Sequence, residues 1–242
     1  MTTGPSMRQH KTFVLVHGAW HGAWCYTRVA ERLSARGARV FAPTLTGLAD
    51  RSHLYSPEIN LTTHVLDVVN LIRWHELRDI VLVGHSYGGM VVTAVADQLS
   101  DRVAALVYLD AFVPEDNQCL HDFAPPELVR AQVESATAAN RYAIPPIPAA
   151  VFNVNPADRE WVDRLCTPQP LATFTERVRL TGRCNAVPQK TYVLAGDLPG
   201  SGFGRFRDAL AAHAQTHELP CGHDVMIDMP DETAHIVAGA ST

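Results

Sequence analysis

The sequence predicts an α/β fold, a mostly parallel sheet with helices on both faces. Three observations predict it. Short apolar runs alternate with helical patterns along the chain. Several of these runs are β-branched and apolar at successive positions, as strands buried on both sides require. One of them, 80–83, leads through Gly84-His85-Ser86-Tyr87-Gly88 straight into a helical pattern, a sharp strand-to-helix turn.

The runs expected as strands are 12–16, 38–42, 80–83, 103–109, 190–195 and 216–219. Helices are expected between them at 27–36, 62–76, 87–99, 203–213 and 231–238. In the second helix Val65, Val68, Val69 and Ile72 recur at helical spacing, while Asp67, Asn70 and Arg73 take the other face. Gly37, just past the first helix, suits its C-cap. The alternation then stops. Eight of the sixteen prolines fall in residues 125–170, too many for continuous sheet or one long helix. Helical patches remain at 127–139 and 157–166. The segment of about 113–187 therefore reads as a cap inserted into a single domain of 242 residues. The doubled His-Gly-Ala-Trp at 17–24 is too short for a structural repeat.

Composition narrows the function classes. Apolar residues make up 47% and charged residues 19%, ordinary for a folded enzyme and unlike a disordered chain. A net charge of -5 without a basic block gives no reason to expect nucleic acid or an anionic membrane as partner. Residues 1–11 are polar and lack the apolar stretch of a signal peptide. The longest apolar run, 103–113, is broken by Asp110 and falls short of a membrane span. Cys25, Cys119, Cys166, Cys184 and Cys221 are odd in number and never paired as Cys-x-x-Cys. Reduced thiols in a cytoplasmic setting are expected, and a zinc ribbon is not.

The chemistry centres on Ser86. Its flanks must be small, because the serine sits on a strained turn where side chains at 84 and 88 would meet neighbouring backbone. No lysine follows the glycines, so this is not a phosphate loop. A serine hydroxyl needs a base to take its proton. Of the twelve histidines, His223 follows the last strand and precedes the final helix, which places it at the same sheet edge as Ser86. His213 and His217 are set aside, one in a helix and one inside a strand. The developing oxyanion needs preorganised N–H donors. Tyr87, directly after the nucleophile, and Ala19, in the loop after the first strand, are placed to supply them. His17 and His21 share an i, i+4 spacing but lie on a glycine-containing loop without a nearby carboxylate, so they read as structural rather than metal ligands. Two aspartates compete for the acid. Asp110 closes the strand 103–109, where a carboxylate among apolar residues needs a partner. Asp197 follows the strand 190–195 but comes directly after Gly196, a turn early. Asp110 is favoured, with Asp197 as fallback.

The stretches FVLVHGAWHGAW (13–24), PTLTGLADRSHL (43–54), VLVGHSYGGM (81–90), VYLDAFVPE (107–115) and GHDVMIDMP (222–230) resemble the esterase and hydroxynitrile lyase branch of the α/β-hydrolases. That branch includes methyl-salicylate-type and related bacterial esterases. The resemblance spares only the cap. It implies an α/β-hydrolase fold, a catalytic Ser86 and His223, oxyanion donors at Ala19 and Tyr87, and hydrolysis of small to medium carboxylic esters through an acyl-enzyme. The plant enzymes carry the acid after the later strand, and some dehalogenases of this fold carry it after the earlier one. The lyases resemble one another in a threonine where this chain has Gly18 and a lysine where it has Asp224. An aspartate there would oppose departing cyanide by like-charge repulsion, which favours the esterase over the lyase. A non-catalytic small-molecule receptor of the same fold is the other rival, and it would have no need to keep Ser86 and His223. No metal or organic cofactor is expected. A lining of Phe112, Phe123, Ile144, Ile147, Val151 and Phe152 would suit an apolar ester as the only partner the residues call for.

Overall fold

In the computed structural model, which describes residues 10–138, 141–198 and 200–240, six strands form one parallel sheet. In chain order the elements begin β1 (Thr12–Val16), α1 (Thr27–Ala35), β2 (Arg39–Phe41), α2 (Leu61–Trp74), β3 (Ile80–His85), α3 (Gly88–Gln98) and β4 (Val103–Leu109). The intervening segment holds α4 (Pro126–Ala138), β5 (Ala143–Ile144), α5 (Arg159–Leu165), β6 (Gln169–Pro170) and α6 (Ala172–Thr175). The chain then returns through β7 (Gln189–Ala195), α7 (Gly204–Leu210), β8 (Gln215–Leu219), α8 (Val225–Asp228) and α9 (Pro230–Gly239). Most of the polar stretch 1–11 lies outside the described residues, as does position 139 at the end of the expected helix 127–139.

The sheet order is β2-β1-β3-β4-β7-β8. It reverses at β1, so the loops after β1 and β3 part to opposite sides and leave a crevice at the strands' C-terminal ends. Strand residues alternate between two cores. Val14, Val16, Leu82, Leu106 and Tyr108 pack under α2 and α3. Phe13, Leu15, Val81, Val83 and Val107 face α1, α8 and α9 instead. Burial on both faces explains why these strands read as continuous apolar runs.

The expected strands 12–16 and 103–109 coincide with β1 and β4, and the remaining ends shift by one or two residues. Asn60 starts α2 one residue before the expected 62–76 pattern, its Oδ1 accepting the Thr63 N–H at 2.9 Å while the Thr63 hydroxyl returns to the Asn60 N–H. Helix α7 ends at Leu210, short of the expected 213, because residues 211–213 turn before β8 begins at Gln215. The two-residue antiparallel pair β5–β6 and the single turns α6 and α8 carry too few residues for a periodic signal.

One buried carboxylate ties the segment's end back to the core. Asp97, on α3, accepts hydrogen bonds from the Thr181 N–H at 2.7 Å, the Thr181 hydroxyl at 2.9 Å and the Cys184 N–H at 3.1 Å. Burial pushes its pKa up, but these donors outweigh it and hold the carboxyl below its ordinary value. A depressed folded pKa gives stability that is present above the unfolded value and lost as pH falls through the folded one. Asp97→Ala is expected to cost about 2–3 kcal/mol at neutral pH, and less at pH values where the wild-type carboxylate is itself protonated. Chemical denaturation at neutral and acid pH checks it. An equal loss at both would remove the carboxylate from the explanation.

Candidate active site

The turn after β3 builds the site's centre. Ser86 stands at φ 52°, in the left-handed region that costs a non-glycine residue on the order of 1 kcal/mol. Sheet and helix over-determine it. Its N–H donates to the Leu109 carbonyl at 3.2 Å, and its own carbonyl accepts from the Gly89 and Phe112 N–H groups at 3.0 and 3.2 Å. Close approach explains the glycines beside it. A Cβ at position 84 would lie 2.7 Å from the Gly88 carbonyl oxygen, and one at position 88 would lie 2.7 Å from the carbonyl oxygens of Val16 and His17.

The loop after β8 brings in His223, which is buried with its ring between Phe203, stacked at 4.9 Å, and Phe152 at 5.1 Å. Its N–H donates to the Phe152 carbonyl at 2.9 Å. His223 Nδ1 lies 2.6 Å from Asp110 Oδ2, and the other Asp110 oxygen accepts the Ala195 N–H at 3.1 Å. Asp110 is fully buried just beyond β4, at φ 42°. Asp197 stands elsewhere. It is exposed, its N–H donates to the Cys221 carbonyl at 3.0 Å, and its carbonyl accepts from Asn153 Nδ2 at 2.9 Å. Of the two candidate acids, the structure brings Asp110 to His223. Cys221, two residues before His223, is a poor candidate nucleophile, since burial pushes its thiol up to about 12.

Ser86, His223, Ala19 and Tyr87 line one cavity of about 210 Å³. Phe112, Phe123, Ile147 and Phe152 line it as expected. Two expected residues do not. Ile144 is buried in the core beneath, and Val151 is 62% exposed, on the turn that presents Phe152 inward. The sequence reading missed Trp20, Phe174, Phe203 and Phe206, which complete an aromatic wall. Phe203 and Phe206 carried a signal, two phenylalanines a helical turn apart at the start of a helix whose strand edge faces the serine.

Four further histidines surround the site, His17, His21, His64 and His85. His17 Nδ1–H donates to the Gly18 carbonyl at 2.8 Å and Nε2 accepts the Leu45 N–H at 3.0 Å, which fixes a neutral ring; burial lowers its pKa to about 3. His64 likewise donates from Nε2 to the Thr46 carbonyl and accepts the Tyr87 hydroxyl at Nδ1, both at 2.9 Å, with burial lowering its pKa to about 4. His21 differs. Its Nε2 lies 3.1 Å from Asp224 Oδ2, a carboxylate brought from 203 residues away. The absence of a nearby carboxylate in the sequence therefore did not hold in space. Asp224 is itself fully buried against His21 and does not line the cavity, so like-charge repulsion by Asp224 gives no argument against a lyase. Gly18 gives a steric one. A Cβ there would lie 2.7 Å from His85 Nδ1 and 3.0 Å from Ser86 Cβ, leaving no room for a threonine unless His85 moves.

Residues 13–236 match the model of a family described as the alpha/beta hydrolase family. The chain is similar to a carbendazim hydrolyzing esterase of a Nocardioides species, 46% identical over 236 residues that cover 93% of this chain and 98% of that one. It is 34% identical to Methylesterase 2 of Arabidopsis thaliana over 119 residues, which cover 45% of this chain and 41% of the relative. Among solved structures it superposes on an extracellular alpha/beta-hydrolase from a Paenibacillus species with a TM-score of 0.83 at 24% identity, over 95% of this chain and 98% of the other.

Proposed function

The chain belongs to the alpha/beta hydrolase family as a carboxylic ester hydrolase, and from that premise we propose that Ser86, His223 and Asp110 carry the reaction. The observation that carries this reading is the 2.6 Å contact of Asp110 with His223 Nδ1, in a cavity that also holds Ser86 on its strained turn. Asp110 accepts the Nδ1 hydrogen, which leaves Nε2 as the nitrogen that takes the Ser86 proton. Ser86 Oγ attacks the ester carbonyl, and the Ala19 and Tyr87 N–H groups receive the oxyanion. His223 returns the proton to the departing alcohol. It then deprotonates the water that releases the acid from Ser86.

The ester that fits is apolar and small to medium, because aromatic and aliphatic side chains make up most of the cavity wall. Among the described residues its one Lys, Arg, Asp or Glu side chain, Arg205, lies over the Phe123 and Phe206 rings. The cap of about 113–187 supplies Leu120, Phe123, Ile147, Phe152 and Phe174 to that wall. Carbendazim, named for the Nocardioides relative, is a candidate substrate beside simple carboxylic esters. Cysteines without disulfide partners suit a reducing, cytoplasmic setting. Among the described residues no helix is long and apolar enough to cross a membrane.

A panel of nitrophenyl esters of increasing acyl length, with carbendazim and mandelonitrile beside it, tests the reading. Short and medium acyl chains are expected to turn over, with carbendazim among the substrates and negligible cyanide release from mandelonitrile. Cyanide release at a rate rivalling ester hydrolysis would overturn it.

A further inference from the structure

Behind the proposed site lies a charged pair that the reaction described above does not use. Asp224 follows the base directly in sequence, and His21 lies two residues after the oxyanion donor Ala19. We propose that His21 and Asp224 form a buried ion pair that positions the Ala19 loop and the His223 loop against Ser86, and so sets the catalytic rate. The proposal rests on the reading of Ser86, His223 and Ala19 given above.

The charge state follows from the partners. His21 Nδ1 lies 2.7 Å from the Ala19 carbonyl oxygen and Nε2 lies 3.1 Å from Asp224 Oδ2. A carbonyl only accepts, and so does an ionised carboxylate; both ring nitrogens therefore donate, and the ring is an imidazolium. Burial lowers the His21 pKa, but the Asp224 charge outweighs it, and the net direction is up. Burial raises Asp224, and the facing His21 outweighs that in turn, holding the carboxyl below its ordinary range. The other groups facing the pair are His17 on the same loop, His85 at the end of β3, His223 itself, Asp228 on α8, Cys25 and Tyr26 just before α1, and Cys166 after α5. Burial lowers His85 and raises the two thiols and the phenol, so all four stay neutral.

The geometry makes the pair a brace across three loops. Trp20, between Ala19 and His21, sits at φ 65°, so the oxyanion loop is strained and needs its partners. Gln169 Oε1 accepts the Trp20 N–H at 3.0 Å, and His21 holds the Ala19 carbonyl on the other side. On the base's side, His85 Nε2–H donates to the His223 carbonyl at 3.0 Å and lies 3.5 Å from the second Asp224 oxygen. His85 immediately precedes Ser86. The carboxylate thereby bonds the loop of the oxyanion donor through Oδ2, while Oδ1, without a hydrogen-bond partner among the described residues, lies beside His85, whose ring holds the carbonyl of the base. Displacing any of them by an ångström misaligns groups that work only in register.

The test uses His21→Gln, Asp224→Asn and the double variant, with kcat, KM and the pH dependence of kcat/KM on a nitrophenyl ester. Both single variants are expected to lose about 10–100-fold in kcat, the scale of a misplaced catalytic group, with KM nearly unchanged. Removing His21 leaves the Asp224 charge uncompensated beside His223, so the acid limb is expected to move to higher pH. It should return toward wild type in the double variant, where that charge is gone. Single variants that lower Tm while keeping kcat and the acid limb would make the pair a structural brace alone and overturn the proposal. Nitrogen NMR of the wild-type histidines stands even if the variants fail to fold. His21 is expected to show two protonated nitrogens at pH 8, where an ordinary histidine of pKa about 6.5 is neutral; a neutral His21 would overturn the proposal. A fluorophosphonate that fails to label wild-type Ser86 would instead sink the underlying site.

Discussion

Ser86→Ala is expected to lower kcat by about 10⁴-fold or more, and to leave the protein folded. The first half follows from covalent catalysis. Without the hydroxyl no acyl-enzyme forms, and only the oxyanion donors and substrate binding remain to accelerate attack by water. The second half follows from local geometry. Ser86 is held at φ 52° by backbone hydrogen bonds to Leu109, Gly89 and Phe112, all of which alanine keeps. Alanine carries the same Cβ into the left-handed region, so the strain is unchanged, and the lost oxygen faces the cavity rather than the core. The stability is therefore expected to change by no more than about 0.5 kcal/mol. A fluorophosphonate should label the wild type at Ser86, shown by mass spectrometry of the peptide, and leave the variant unlabelled. Label on another residue, or a folded variant with wild-type turnover, removes Ser86 as nucleophile.

What the sequence made legible was whatever local pattern dictates. Strands β1 and β4 fall where they were expected because both their faces are buried, so every position after Thr12 in β1 and throughout β4 is apolar or aromatic and the flanking residues are polar. Ser86 was legible because its turn demands small flanks within five residues. The cavity wall was half legible. Phe112 and Phe152 are next to recognisable strand ends or turns, but whether Ile144 or Phe174 faces the cavity depends on how the 113–187 segment packs, which no periodicity encodes. The His21–Asp224 pair was invisible for a plainer reason. Its members are 203 residues apart, and a histidine on a loop with no carboxylate nearby gives no hint that one will arrive in space. Asp224 was read by its charge alone, and the fold turned that charge toward His21 rather than toward the cavity.

The two aspartates left open by the sequence should now separate by orders of magnitude. Asp110→Asn is expected to lower kcat by roughly two to four powers of ten, with little change in KM. The amide has no good orientation at position 110. With its oxygen toward His223 Nδ1–H, its NH₂ faces the Ala195 N–H, donor against donor. With its oxygen toward Ala195, the NH₂ faces His223 Nδ1 and forces the hydrogen onto Nε2, the nitrogen that must accept the Ser86 proton. Either orientation disables the base or leaves a buried donor unmatched at a cost of about 1–3 kcal/mol, so the Tm is expected to fall as well. Assays run well below that Tm separate disarming from unfolding. Asp197→Asn should keep both its backbone hydrogen bonds, to Cys221 and from Asn153, and its exposed side chain changes only in charge. Its kcat is expected to stay near wild type, with stability within about 0.5 kcal/mol. A folded Asp110→Asn with near-normal turnover beside a crippled Asp197→Asn would move the acid to the loop after β7. Comparable partial losses in both would mean that His223 draws on either carboxylate, and the single assignment to Asp110 would fall.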